Sequence, residues 1–208
     1  MARRAGMQRS ERDHGKHHGD AGKRCEIVYH KLNVSQIGAG GHSQGAGGVI
    51  NAANKSGDLI KTVMALELAA QGWCILNLPT CADSKNLTSG SVFFIDGSAD
   101  TLISPPTQPP GTLGEQSIAA YYDAVPAGGG KVKGTLIGPN HNDVTGQPDC
   151  KQAAFPGVNG AYGYLGCPPA WLMDQLQGDS YAHGAFLSGT GEMFSETKNR
   201  EIVASNIP

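Results

Sequence analysis

The chain has 208 residues, 39% of them hydrophobic and 16% charged, with 30 glycines; that suffices for one loop-rich globular domain with a sizeable core and is short for two. Its net charge of −2 provides no overall pull toward nucleic acid or anionic lipid, so the expected partner is small or neutral. No apolar run approaches the ~20 residues that span a bilayer, and the opening segment lacks the apolar stretch of a signal peptide.

Residues 1–24, MARRAGMQRSERDHGKHHGDAGKR, are basic and nearly free of large apolar groups, which leaves little to offset the entropy cost of ordering them. They read as a disordered basic tail, with His14, His17 and His18 as solvated members of it, and the folded domain is expected over 25–208. From there, short apolar runs at Val34–Ala39, Lys61–Leu66, Ser91–Ile95 and Lys133–Ile137, all but the second closed by Gly or Asp, predict buried strands. Helix signals fall between them, at Gly45 to Lys55, Leu113 to Val125, and Pro168 to Gln177, the last with proline in its first turn and Gly178 as a stop. Alternating strands and helices predict an α/β fold, a mostly parallel sheet flanked by helices. The proline-rich stretch Ile103–Thr112 is neither helix nor central strand; following a strand end, it is a candidate wall of a site.

Five cysteines, at 25, 74, 81, 150 and 167, show no zinc-site spacing, and no metal is expected. Cys150 and Cys167 flank a Gly/Pro/Asn-rich segment that a bridge would close, worth roughly 3 kcal/mol in the chain-entropy model. Cys74 and Cys81 are a second candidate pair, leaving Cys25 single. Pairing would imply an oxidising compartment; five reduced cysteines are the alternative.

The chemistry centres on Gly41-His42-Ser43-Gln44-Gly45. This GxSxG lies between a strand signal and a helix signal, the context of a nucleophile elbow, in which a sharp turn strains the serine backbone. Gly41 and Gly45 are expected to avoid clashes in that turn. A serine hydroxyl needs a base, and the base an orienting carboxylate; both should follow, in that fold, as acid then histidine past strand ends. Asp100 stands five residues beyond the Ser91–Ile95 run, and His141 in the loop after the last apolar run. Asp96, nearer the strand end, reads as a turn cap, and Asp143 is too close to His141 in sequence to be its partner. His183 is the other candidate base. His42 sits beside the nucleophile with its side chain expected to point away from that of Ser43, as packing or support, and is grouped with Trp73 as a residue near the substrate. An ordinary turn serine is the alternative reading of Ser43.

GHSQGAGG at 41–48, DGSADTLISP at 96–105, GPNHND at 138–143 and the tail WLMDQLQGDSYAHGAF at 171–186 together resemble the α/β-hydrolase superfamily. Within it the likeness is to dienelactone-hydrolase-like and chlorophyllase-like esterases and the bacterial cutinase or polyester hydrolases. The resemblance covers roughly residues 30–190. It implies hydrolysis of a small or polymeric carboxylic ester through an acyl-enzyme on Ser43, with His141 as base, Asp100 as its orienting acid, the Gln44 backbone N–H in the oxyanion hole, Trp73 as an aromatic platform for the acyl group, and no cofactor. The same triad would serve a thioesterase or lactone hydrolase. Polyester hydrolases often carry Met where this chain has Gln44. The superfamily runs through several strands before its nucleophile and takes a second oxyanion donor from an early loop; here no HGGG-like loop is present. The expectation is therefore the C-terminal part of a longer, secreted or periplasmic esterase, with its early strands missing, an exposed sheet edge open to self-association, and an inactive or binding-only domain as the alternative.

Overall fold

The short apolar runs and the helical stretches between them assemble as one sheet with helices on both faces. The computed structural model describes residues 31–77, 81–146, 160–198 and 200–208. The chain divides into Met1–Asn33 and Val34–Pro208, and the sheet and helices belong to the second unit. The expected tail over 1–24, with its histidines, and Cys25 lie outside the described residues.

Among the described residues the strands are β1 (Ile37–His42), β2 (Ile60–Leu66), β3 (Ser91–Gly97), β4 (Lys131–Leu136) and β5 (Arg200–Ser205). They lie side by side in chain order, β1 to β4 parallel and β5 antiparallel to β4. This mostly parallel sheet with its helices is an α/β fold. The helices are α1 (Gln44–Ser56), α2 (Gln71–Asn77), α3 (Ile118–Ala124), α4 (Cys167–Gln177), α5 (Ser180–Gly184) and α6 (Glu192–Ser195).

Successive side chains of β3 serve opposite faces, as strand geometry requires. Val92 and Phe94 pack with Ile50 of α1 and with Ile118 and Tyr121 of α3. Phe93 and Ile95 pack with Trp171 of α4, Phe186 and Met193. Trp171 and Phe186 are fully buried, each burial worth about 1.5–3 kcal/mol, and their rings meet edge to face at 5.1 Å. The Trp171 Nε1–H is satisfied by Thr62 Oγ1 at 2.7 Å, which fixes α4 over β2.

Several boundaries differ from the sequence expectation. β1 begins and ends three residues later than the run Val34–Ala39, because the glycine-rich IGAGGH pairs in register with β2, Gly38 with Thr62 through His42 with Leu66. Those glycines admit α4: a Cβ on Gly38 would stand 2.9 Å from Leu176 Cδ1. The helix expected from Leu113 starts at Ile118, where Ser117 Oγ accepts from Ala120 N–H at 3.1 Å; Gly114, at φ +77, is incompatible with an earlier start. α4 keeps its expected limits within one residue, with Gly178 left-handed at its end. Neither α2 nor β5 is expected from the sequence. Asp96 does not cap a turn; it lies inside β3, fully buried, and accepts from Thr135 Oγ1 at 2.8 Å.

Cys74 and Cys81 form a disulfide. The expected Cys150–Cys167 bridge is not made: Cys167 is a free, buried thiol in the first turn of α4, packed with Tyr164 and Trp171. Cys150 lies outside the described residues.

Candidate functional site

The parallel strands β1 to β4 bring His42, Leu66, Gly97 and Leu136 to one edge of the sheet, the edge at which open α/β sheets carry their sites. Ser43 is the single residue between β1 and α1. Its φ of 55 and ψ of −117 are strained for a residue with a side chain, a cost of about 1–3 kcal/mol that persists only where surroundings enforce it. They do so here. Ser43 N–H donates to Leu66 C=O at 3.0 Å, extending the ladder with β2, and its own C=O accepts from Gly47 N–H at 3.2 Å to start α1. The turn is so sharp that a Cβ on Gly41 would sit 2.2 Å from Gly45 O. Gly45 is a different case from the one expected, since nothing lies within 4 Å of its Cβ position; its backbone is what Gly41 must clear.

Three side chains from three strand ends meet there. Ser43 Oγ donates to His141 Nε2 at 2.8 Å, and His141 Nδ1–H donates to Asp100 Oδ2 at 2.6 Å. Asp100 also accepts from Ile103 N–H at 2.9 Å and Ser104 N–H at 3.1 Å. Burial pushes its carboxyl upward, but the hydrogen bonds from His141 and the two amides outweigh that and hold it below the ordinary Asp value. The loops carrying Asp100 and His141 are stitched together: Ser98 N–H donates to Leu136 C=O at 2.8 Å and Ala99 N–H to Pro139 C=O at 3.0 Å. A Cβ on Gly97 would fall 2.2 Å from Pro139 O, so glycine is what lets the two loops approach.

The other expected residues fall as follows. Gln44 is the first residue of α1, and it lines a cavity of about 160 Å³ with Ser43, His141, Leu68, Trp73 and Tyr121. Trp73 belongs to α2, with its indole N–H on Leu102 C=O at 2.9 Å. His42 does not line the cavity; its Nε2–H donates to His141 C=O at 2.7 Å, and the two rings are 5.0 Å apart. It is a brace for the His141 backbone rather than a substrate contact, because alternation along β1 sends its side chain to the opposite side from that of Ser43. Burial lowers its pKa. His183 pairs with Asp174 at 3.1 Å, and Asp143 accepts from Asn140 N–H at 2.7 Å; neither joins the trio. Of the proline-rich stretch, Ile103 reaches the cavity, while the carbonyls of Pro105 and Pro106 receive the first amides of α3 at 3.0 Å.

One residue at the site escapes the sequence reading. Glu67, directly after β2, is fully buried, and its carboxyl lies with those of Asp100 and the His141 imidazole in a group whose ligand atoms are within 4.8 Å of one another. Among the described residues this is the set that could hold a metal ion, although both Asp100 oxygens and His141 Nδ1 are already engaged in hydrogen bonds. The signal in the sequence is a lone acid between Leu66 and Leu68 at the end of an apolar run.

No protein-family model matches the chain, and neither does any curated protein.

Proposed function

We propose that the protein is a serine-dependent carboxylic-ester hydrolase of the α/β-hydrolase kind. The observation that carries this reading is the hydrogen-bond chain from Ser43 Oγ through His141 to Asp100, at 2.8 and 2.6 Å, on a serine held at φ 55. As Ser43 Oγ attacks an ester carbonyl, His141 Nε2 takes its proton, and Asp100 holds the imidazole with Nδ1 protonated and stabilises the imidazolium that forms. The oxyanion develops beside the N-terminus of α1, where the Gln44 N–H is a donor worth on the order of 3 kcal/mol in the transition state. Collapse of the tetrahedral adduct expels the alcohol, which takes the proton from His141 Nε2. Water, deprotonated by the same nitrogen, then attacks the acyl-enzyme, and the acid leaves as Ser43 regains its proton.

The cavity suggests the size of the acyl group. At about 160 Å³, with Leu68, Trp73, Ile103 and Tyr121 in its wall, it compares with an apolar cavity of about 150 Å³ that takes up benzene. A short aliphatic acyl group or a single aromatic ring fits that space, and a longer or polymeric ester would have to extend outside it. The Cys74–Cys81 disulfide supports an oxidising, extracytoplasmic compartment.

Labelling with a fluorophosphonate probe tests the reading. One label per chain, located on Ser43 and abolished by Ser43→Ala, is expected. Folded wild-type protein that takes no label overturns the enzyme in favour of a binding-only domain. A series of esters, thioesters and lactones with matched acyl groups then separates the ester hydrolase from thioesterase and lactone chemistry on the same triad, with kcat/KM expected to peak at short acyl chains.

A further inference from the structure

Glu67 occupies a conformation that a glutamate rarely adopts. Its φ is +48, and its N–H is committed to Ile95 C=O at 2.9 Å, so the backbone directs the side chain into the sheet edge rather than to solvent. Strain of this kind costs about as much as the Ser43 turn and marks positions where the surroundings over-determine the chain. The carboxyl it delivers is asymmetric. Oε1 accepts from the Tyr164 hydroxyl, whereas Oε2 is buried with no hydrogen-bond partner among the described residues.

An ionised carboxylate with one bare, buried oxygen would be costly anywhere. Beside Asp100 it would also add a second negative charge to a site that already holds one. A proton on Oε2 removes both difficulties. It neutralises the group and turns the bare acceptor into an O–H donor, and the Asp100 carboxylate is the acceptor within the cluster. The direction of the Glu67 pKa agrees: burial raises it well above the ordinary value, and the charges of Asp96 and Asp100 add to that against the Tyr164 hydrogen bond.

We propose that Glu67 is a positioning residue of the hydrolytic site: as a neutral carboxylic acid anchored by Tyr164, it donates a hydrogen bond to the Asp100 carboxylate and fixes it against His141. The proposal rests on reading Ser43, His141 and Asp100 as the hydrolytic triad. It has a pH consequence. The titratable groups that face Glu67 are Asp96 of β3, Asp100 in the following loop, His141 after β4, and Tyr164 in the 3-10 turn Gly160–Tyr164, with Lys133 and Asp143 one layer out. When Glu67 loses its proton, the donor to Asp100 is lost and the carboxylate that orients His141 is no longer held, so activity falls on the alkaline side.

Glu67→Gln keeps an N–H donor and a carbonyl acceptor but cannot ionise, whereas Glu67→Leu keeps bulk and loses both. In ester hydrolysis, Glu67→Gln is expected to hold kcat within about threefold of wild type at neutral pH and to remove the alkaline fall; Glu67→Leu is expected to lower kcat about 10- to 100-fold at little-changed KM, the loss of one charge-assisted hydrogen bond. The second readout needs no turnover: the His141 Nδ1–H proton resonance, followed against pH by NMR. Wild type and Glu67→Gln should both show it, with a high-pH step in wild type that is absent from Glu67→Gln, and Glu67→Leu should broaden or lose it. Glu67→Gln as impaired as Glu67→Leu, or all three proteins alike in profile and resonance, overturns the positioning role. Absence of Ser43 labelling in wild type overturns the hydrolase reading instead, and the resonance still decides on Glu67, including when Glu67→Leu does not fold.

Discussion

Two walls enclose Ser43, and they are built differently. The acid–base wall, Gly97–Ser104 with Gly138–Asp143, is joined loop to loop by backbone bonds, Ser98 N–H to Leu136 C=O and Ala99 N–H to Pro139 C=O, and the Ile103 and Ser104 amides donate to the Asp100 carboxylate. The pocket wall, Leu68–Cys74 with Cys81 and Ala82, is tied to its neighbours among the described residues by backbone bonds at its root, Ala70 N–H to Ile103 C=O and Gln71 N–H to Glu115 C=O. Beyond these it relies on side chains: Gln71 to Ala82 C=O at 3.0 Å and to Glu115 N–H at 2.9 Å, Trp73 to Leu102 C=O at 2.9 Å, and the Cys74–Cys81 disulfide. On the proposed hydrolase reading, proton transfer tolerates misplacement of only a fraction of an ångström, and the bonds that join the two loops carrying Asp100 and His141, from Ser98 and Ala99 N–H, are backbone bonds that no side-chain change removes. A surface that receives a variable acyl group can rest on replaceable side chains. Changes in the first wall should therefore act on kcat, and changes in the second on KM and substrate choice.

The largest expected effect is that of Asp100→Asn. The amide preserves shape but favours the wrong imidazole tautomer, so kcat should drop about 10⁴-fold with KM within a few-fold, measured by steady-state hydrolysis of a short-chain ester. A drop in KM-dependent terms alone would place Asp100 in the pocket wall and break the division. Next comes Asp96, beneath the same wall, whose pKa burial raises to about 7 against the pull of Thr135 and Lys133. Because this value lies above the ordinary one, the folded protein keeps a proton that the unfolded chain releases between about pH 4 and 7. Its contribution is fully present below about pH 4 and is lost as pH rises to 7, a fall of roughly 4 kcal/mol. Glu67 and Glu115, also raised, slope the same way, so the difference between wild type and Asp96→Asn reports Asp96 together with its coupling to Glu67. Urea midpoints at pH 5 and 8 should converge in Asp96→Asn relative to wild type.

Glycine substitutions sharpen the contrast at one chemical change. Gly97→Ala forces a methyl into Pro139 O at 2.2 Å, and the two stitched loops must part; a shift near 1 Å predicts a loss of about 10²-fold in kcat. Gly72→Ala, in the pocket wall, meets Gln116 Oε1 at 3.2 Å; that oxygen is the end of a long side chain and accepts from Gly72 N–H at 2.9 Å, so it need give by only a few tenths of an ångström. Its kcat should stay within about twofold. Equal losses from the two, assayed together with melting temperatures, would erase the distinction.

The same division explains what could be read from the sequence. The acid–base wall was legible because its residues follow apolar runs: Ser43, Asp100 and His141 stand just past β1, β3 and β4, where a parallel sheet must gather them. Glu67 stands at the equivalent point of β2 but is not announced by the sequence, because its role arises from burial between Tyr164 and Asp100, both distant in sequence. α2 and the seat of Trp73 were hidden for a related reason. Seven residues, QGWCILN, carry too few turns for a helical period, and what holds them is tertiary, from Glu115, Leu102 and Cys81. β5 pairs antiparallel through REIVAS, whose apolar run is too short to announce a strand. Cys167 misled because spacing cannot show that a helix start buries the thiol.

The disulfide, whose loss should leave kcat nearly unchanged, gives the most direct test of the pocket wall. Cys74 and Cys81 are separated by seven positions, a loop for which cross-linking is worth about 2.5 kcal/mol in the chain-entropy model. Cys74 lines the cavity beside Trp73, whereas no bond in the Ser43–His141–Asp100 chain depends on it. Replacing both cysteines by serine should lower stability by about that amount in denaturant titrations, raise KM, and broaden the range of acyl lengths accepted, with kcat for the shortest ester nearly unchanged. Fluorophosphonate labelling of Ser43 in the variant should remain complete, because the nucleophile and its base are held from the other wall. Loss of labelling in the folded variant would mean that the pocket wall also sets the geometry of proton transfer, and the two walls would then have to be treated as one.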